Sequence, residues 1–242
     1  MKHSVPVVLL LFCLVLADGA AHASNQRARF YLDLMKNRYR EIEDYQCRMQ
    51  EFAIQGSKRE IRTINYYFKR PKRIRMDILQ GNRAFDRGSV GVYTGGDKVT
   101  GHRGGIMKDI VLSVSLKSPL ATSVRGETMD RSDMLTVIER FEYLMQISDI
   151  VVEEKSSHVE FEFTPHDPEQ NRGVTRDIIW IDLTTMLIIR NERYEQQKLV
   201  QQVIWSDYIV NAGLPLELFD ARFDIQDLLG SGIPLLSQDL DE

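Results

Sequence analysis

The side chains that could do chemistry are few and lie far apart. His102, His158 and His166 are the histidines beyond the first stretch of the chain, and none stands at metal-ligand spacing with another histidine or a cysteine. The sequence holds no nucleophile elbow, no Gly-rich phosphate loop, no HExxH and no paired CxxC. Asp167 and Glu169 beside His166 could hold a cation, but a polar turn uses the same residues. The expectation is therefore a protein without enzymatic chemistry, cofactor or metal. Cys47 is flanked at spacing two by Tyr45 and Met49, which predicts an inward-facing strand position and a buried thiol. What remains is charge. Lys69, Arg70, Lys72, Arg73 and Arg75 surround Pro71, while Ile74, Met76 and Ile78 alternate with Arg73, Arg75 and Asp77. A basic rim beside an apolar face could meet lipid headgroups, nucleic acid or an acidic partner, and an ordinary solvated strand has the same pattern.

The whole chain narrows that choice. Its 242 residues carry a formal net charge of −4 with 43% apolar residues, so a general nucleic-acid role has no electrostatic support. Lys2 and His3 precede the apolar run Val5–Ala17, and Ala21-His22-Ala23 has the small-x-small form of a signal-peptidase site. The run is shorter than the ~20 residues a spanning helix needs. Cys13 lies within it behind Leu10-Leu11-Phe12, without the small residues that precede a lipidated cysteine. These features predict export to the periplasm with cleavage near Ala23, and a product that is neither membrane-spanning nor lipid-anchored. The predicted organisation is a leader over 1–23, one domain over 24–230 and an acidic flexible tail over 231–242.

Periodicity supplies the elements that must position any site. Asn25 can cap a helix in which Tyr31, Leu34, Met35, Tyr39 and Ile42 recur at helical spacing. From Tyr45 to Thr100 the pattern is strand after strand, with a phase shift from Met49 to Phe52 that suggests a bulge. Gly95-Gly96-Asp97 marks a tight hairpin. Gly101–Gly126 has no clean period and reads as a short helix and a loop over the sheet. Ser132 can cap a second helix carrying Met134, Leu135, Ile138, Phe141 and Met145 on one stripe. Strands then resume with Val159, Phe161 and Phe163, followed by Arg176–Leu183, Met186–Tyr194 and Leu199–Val210. Successive short-turn strands without βαβ alternation predict an antiparallel meander.

This order of features resembles the periplasmic lipoprotein carriers of the LolA/LolB type. The residues that carry the resemblance are Tyr67-Phe68-Lys69-Arg70-Pro71, then Arg73-Ile74-Arg75-Met76, the hairpin Val92–Val99, and the late strand pair Ile178–Leu187 and Leu199–Tyr208. The Tyr45-Gln46-Cys47 opening and the Gly101–Met145 region also resemble an allied bacterial domain of unknown function. Lys72 and Arg73 make this corner more basic than the family's usual form. The resemblance implies an α+β fold, a strongly curved antiparallel sheet forming an incomplete LolA-like barrel, with helices covering the concave face. It implies binding of lipid or lipoprotein acyl chains, with inner- or outer-membrane proteins as further partners. Arg70 matches an arginine used in cargo transfer, and Ile74 an apolar position near the pocket opening. On this reading Ile74, Met76, Ile78, Tyr93, Phe161, Phe163 and Trp180 line the acyl cavity. Lys69, Lys72, Arg73 and Arg75 face headgroups or a partner. The alternative is an envelope sensor that uses the same fold to bind a partner protein.

Overall fold

The computed structural model describes residues 6–238, with side chains from residue 23 onward. The first five residues of the expected leader lie outside the described residues. From Pro6 the backbone is helical without a break to Arg40 (α1), so Asn25 stands inside the helix rather than at its N-cap. The buried side of α1 carries Ala28, Tyr31, Leu32, Met35 and Tyr39, close to the predicted stripe.

Eleven antiparallel strands follow: β1 (Asp44–Gln55), β2 (Lys58–Lys69), β3 (Arg73–Gly81), β4 (Val90–Tyr93), β5 (Lys98–His102), β6 (Leu112–Ser115), then β7 (Ser148–Glu154), β8 (His158–Pro165), β9 (Arg176–Asp182), β10 (Ile188–Glu195) and β11 (Lys198–Val210). They form one sheet in the order β6-β5-β4-β3-β2-β1-β11-β10-β9-β8-β7, and the two end strands do not pair with each other. The barrel is thus incomplete, as expected. Between β6 and β7 runs a strap, residues 116–133, followed by α2 (Met134–Ile147). Asp133, not Ser132, caps α2 by accepting from Thr136 N at 3.1 Å. Ser132 Oγ instead bonds Met129 O and lies 3.2 Å from Tyr66 Oη.

Each face of the sheet has its own core. On the concave face, α1 and α2 pack over β7 to β9. Phe141 of α2 meets Phe161 and Phe163 edge-on at 4.9 and 5.0 Å, and Tyr31 of α1 meets Phe161 at 5.7 Å. On the convex face, Leu214, Leu218, Phe219, Ile225 and Leu228 of the C-terminal segment cover Tyr67 and Val92. The chain then stays on that face: Gln46 Oε1 accepts from Leu236 N at 3.1 Å, and Asn65 Nδ2 donates to Ser237 O at 3.0 Å. Residues 231–238, expected as part of a flexible tail, are docked in this way, and 239–242 lie outside the described residues.

Three expectations about strands change. The concave phase of β1 runs unbroken from Tyr45 through Cys47 and Met49 to Ala53, while Phe52 faces away beneath Arg59. The register shift lies between Gln46 and Arg48, against β11, rather than before Phe52. Strands β6 and β7 occupy stretches where none was predicted.

Candidate functional site

Register brings Arg62, Glu51, Val203, Asn191, Ile179 and Phe161 into one row across β2, β1, β11, β10, β9 and β8. The β8 end of this row lies under the helices. Its middle is roofed by the strap and bounded by β3 to β6, which leaves a cavity of about 280 Å³. Met49, Met76, Ile78, Val99, Val203 and Trp205 supply much of its apolar floor. Ile110, Leu120, Met129 and Val137 supply apolar wall and roof. The volume is near the lower end of the usual range for small-molecule pockets, about 300–1,000 Å³. A larger space, about 1070 Å³, opens beside β3 and the C-terminal segment. Its lining mixes charged groups such as Arg87, Lys108, Asp109 and Asp224 with apolar ones in about equal measure, whereas the concave cavity is lined mainly by apolar atoms and is the better container for an apolar ligand.

The roof is held by polar ties to the sheet. Val124 N donates to Glu60 Oε2 at 2.8 Å, and Arg125 reaches Ile54 O at 2.9 Å and Glu195 at 2.7 Å. Gly104 lets the β5–β6 loop sit against the chain before β4, since a Cβ there would lie 1.7 Å from Arg87 O.

One end of the cavity is ionic. Glu60, fully buried, pairs with Arg62 and with Arg83 at 2.8 Å. Asp86 lies 3.9 Å from Arg62 and accepts from Arg83 N. Farther along, Asp177 pairs with Arg140 of α2 and accepts from Asn191 at 2.6 Å, while Glu127 of the strap pairs with Arg193 at 2.8 Å and Arg172 at 3.2 Å. Burial works to raise the Glu127 pKa, but Arg193 and Arg172 outweigh it and hold the carboxyl below its ordinary range. Glu51 differs. It lines the cavity, is only partly exposed, and makes no hydrogen bond or ion pair within reach among the described residues. Burial pushes its carboxyl up to about 7; Arg62 and Arg83 oppose the rise, while Glu60 and Glu127 add to it.

The sequence-predicted site residues separate into groups. Met76 and Ile78 line the cavity. Ile74 and Tyr93 are buried in the concave core beside it, with Ile74 at 0% exposure, so a charge at 74 would unfold the chain rather than block a pocket. Phe161 and Phe163 are concave but filled over by Phe141 and Tyr31. Trp180 is on the convex face, where Nε1 donates to Glu160 at 2.9 Å and Arg190 stacks at 4.9 Å. The alternation was read correctly there, but the inner set is Ile179 and Ile181.

The basic residues also part ways. Arg75 is 2% exposed and committed to structure. Its Nε donates to Asp77 at 2.7 Å, and its Nη1 to Leu218 O, Asp220 O and Phe223 O at 3.0, 3.3 and 3.1 Å. It cannot face headgroups, because the C-terminal segment covers it. Arg70 donates to Tyr39 O and Ile42 O at the end of α1 and stacks 4.5 Å from the Tyr39 ring. Lys69 pairs with Asp44 at 3.2 Å, Lys72 reaches Asp133 at 3.8 Å, and Arg73 donates to Arg70 O at 3.3 Å. None of these cations lines the concave cavity. Cys47 is buried in the concave core, where burial pushes its thiol pKa up and keeps it unreactive. Among the described residues no cluster of metal-ligating groups occurs. Glu51 and the ionic end were missed; the signal was the unbroken alternation Tyr45, Cys47, Met49, Glu51, Ala53.

No protein-family model matches the chain, and no curated protein matches it in sequence. Solved structures do. A DUF1329 family protein from Desulfovibrio piger is 14% identical over 80% of this chain and 97% of its own, with a TM-score of 0.40. A LolA superfamily protein from Nitrosomonas europaea is 13% identical over 78% and 96%, with a TM-score of 0.37. The lipoprotein LppX of Mycobacterium tuberculosis is 9% identical over 76% and 95%, with a TM-score of 0.45. These include the superfamily that the sequence resembles.

Proposed function

We propose that this protein is a periplasmic carrier that shields a lipid or lipoprotein acyl chain in the concave cavity during envelope sorting, without catalysis. The observation that supports the reading is the cavity itself. It is roofed by a strap and floored by Met49, Met76, Ile78 and Val203 in a sheet whose other face is already covered. A chain of about ten methylenes gains about 8 kcal/mol by leaving water, at about 0.8 kcal/mol per CH₂. A carrier must therefore enclose it, and a curved sheet does so with every backbone group of the floor already paired. Ile110, Leu112 and Leu120 at the cavity mouth are each at least half exposed, which gives an apolar chain a continuous way in. In this reading Arg70 and its neighbours set the end of α1 rather than touch cargo.

The test is mass spectrometry of an organic extract of the purified protein. Lipid in near-stoichiometric amount is expected, with at least a tenfold reduction in Val137→Trp, which fills the cavity from α2. A lipid-free wild-type extract would overturn the carrier reading. A second reading, an envelope sensor that binds a partner protein, has support in the exposed end strand β6, where Leu112 is 50% exposed beside unpaired backbone. An empty cavity together with a one-to-one complex with an envelope protein would favour it.

A further inference from the structure

Eleven large apolar side chains are exposed among the described residues, and five of them fall between Phe85 and Leu120. Ile106, in the β5–β6 loop, is 90% exposed. Phe85 belongs to the loop before β4, which is tied to the β5–β6 loop. Gly104 N donates to Phe85 O at 3.1 Å, and Arg103 donates to Ala84 O at 2.6 Å. Leu120 joins them from the strap, because it lines the same cavity mouth as Ile110 and Leu112. Single exposed apolar residues are ordinary, but a cluster of them around one opening marks a contact surface.

Cations surround this rim. Arg87, Arg103, Lys108, Lys117 and Arg131 pair with no carboxylate among the described residues, and the unpaired acids beside them are Asp109 and Asp130. Asp97 and Lys98 on the adjacent turn cancel each other. Residues 83–131 together hold eight cations against five acids, in a chain whose net charge is −4. Residues 134–182, which supply α2 and the other end of the sheet, hold eleven acids against four cations. Charge is therefore polarised along the strand order, with the apolar rim at the positive end. Apolar side chains interleaved with free cations match an anionic bilayer, where the first enter the acyl boundary and the second meet phosphates. A second copy fits less well. Rim to rim, it would bring the same cations together. End to end, it would have to use β7, whose Val152 O already accepts from Arg27 of α1 at 3.5 Å.

We infer that this rim is a membrane-docking surface for bilayers rich in anionic phospholipid. Phe85, Ile106 and Leu120 insert, while Arg103, Lys108, Lys117 and Arg131 lie against the phosphates. The inference goes beyond the carrier reading and adds a direction to it: the cavity mouth opens onto the bilayer, so an acyl chain enters without crossing water.

The test is flotation of the full-length protein with vesicles of phosphatidylcholine, with and without about one-third phosphatidylglycerol. Every variant keeps the N-terminal apolar run, so the contribution of that run cancels. Binding to the anionic vesicles should be at least about tenfold tighter than to neutral ones, and should weaken with added salt. Lys108→Gln combined with Lys117→Gln should weaken it about 25-fold, since each cation near an anionic surface is worth about fivefold. Ile106→Ser should weaken it at least about tenfold. Lys155→Gln, which removes a cation at the acidic end, should leave it unchanged. Brominated phosphatidylglycerol should quench the added emission of Ile106→Trp and not that of Val151→Trp, at the exposed position on β7. Equal binding to neutral and anionic vesicles would overturn the inference, as would parental binding by both rim variants or quenching at 151 rather than 106. A dimer that Ile106→Ser dissociates, without vesicle binding, would assign the rim to a second copy instead. Lipid in the organic extract without vesicle binding would overturn the docking surface and leave the carrier reading standing; vesicle binding by a lipid-free protein would do the opposite.

Discussion

Replacing Arg75 by methionine keeps the length of the side chain and removes every donor. In the folded protein four acceptors lose their partner at once: Asp77 Oδ1 and the carbonyls of Leu218, Asp220 and Phe223. Asp77 is 7% exposed, so the variant leaves a buried carboxylate with no counter-ion. Removing one partner of such a pair costs about 3–5 kcal/mol. The carbonyls share the same guanidinium nitrogen, so their losses overlap with this figure rather than adding to it. We expect a loss of about 4 kcal/mol, a large part of the ~5–15 kcal/mol that holds a domain folded. With a urea slope of about 3 kcal/mol/M, the midpoint should fall by about 1.3 M. The pH dependence has a definite sign. Burial raises the Asp77 pKa, and Arg75 opposes the rise. Without Arg75 the folded-state pKa rises further, so the loss is greatest at alkaline pH and shrinks as acid protonates Asp77. Asp77→Asn in the same chain should restore about half of the loss. If Arg75→Met melts within about 0.3 M of wild type yet loses ligand, the arginine is a binding group and the reasoning from its burial fails.

Other predictions follow the same logic. Arg70→Leu removes two charge-assisted bonds and the ring contact at the end of α1, so about 2 kcal/mol should be lost, read as a drop in Tm of about 4–8 °C. An unchanged Tm would return Arg70 to the list of free cations. Phe141→Ala empties the space between α2 and Phe161 and Phe163, at a cost of about 3–5 kcal/mol in urea unfolding; a cost below 1 kcal/mol would mean that α2 does not seal the concave core. Glu51 has its folded pKa raised, so its favourable contribution is present at low pH and lost as pH rises through about 7. Glu51→Gln should therefore be more stable than wild type by about 1–3 kcal/mol at pH 8 and equal to it near pH 5. A variant equally stable at both pH values would show that the carboxyl is solvated.

Much of the fold was legible because strands announce themselves by alternation. Val159, Phe161 and Phe163 gave β8, Gly95-Gly96-Asp97 gave the β4–β5 turn, and the stripe through Met134, Ile138 and Phe141 gave α2. Strand β6 is four residues with two serines, too short and too polar for a period to show. In β7 the exposed Val151 between Ile150 and Val152 hides the alternation that burial reveals. The site was less legible for a different reason. Local periodicity divides a strand into two faces but does not say which one is concave, because that depends on neighbours distant in sequence. Trp180 and Arg75 were sorted from their neighbours correctly and then assigned the wrong surroundings: Trp180 faces outward, and Arg75 faces outward beneath residues 214–228. Glu51 shows the converse. A carboxyl in an apolar phase reads as the end of that phase until the cavity beside it is seen.

The strand order carries a consequence for how the chain assembles. Every ladder joins strands consecutive in sequence except the one between β1 and β11. The molecule is therefore two meanders, one before the strap and one after α2, closed along a single seam. Each meander can zip from its own turns, whereas the seam must bring together segments more than a hundred residues apart and bears the entropy of that closure. Gly126, exposed at the tip of the strap, lies between the halves. A chain cut there keeps every ladder partner except those of the seam on one fragment, so the two pieces should find each other by one edge-to-edge pairing together with the packing of α1 on β7 and α2 and of residues 214–228 on Tyr67 and Val92.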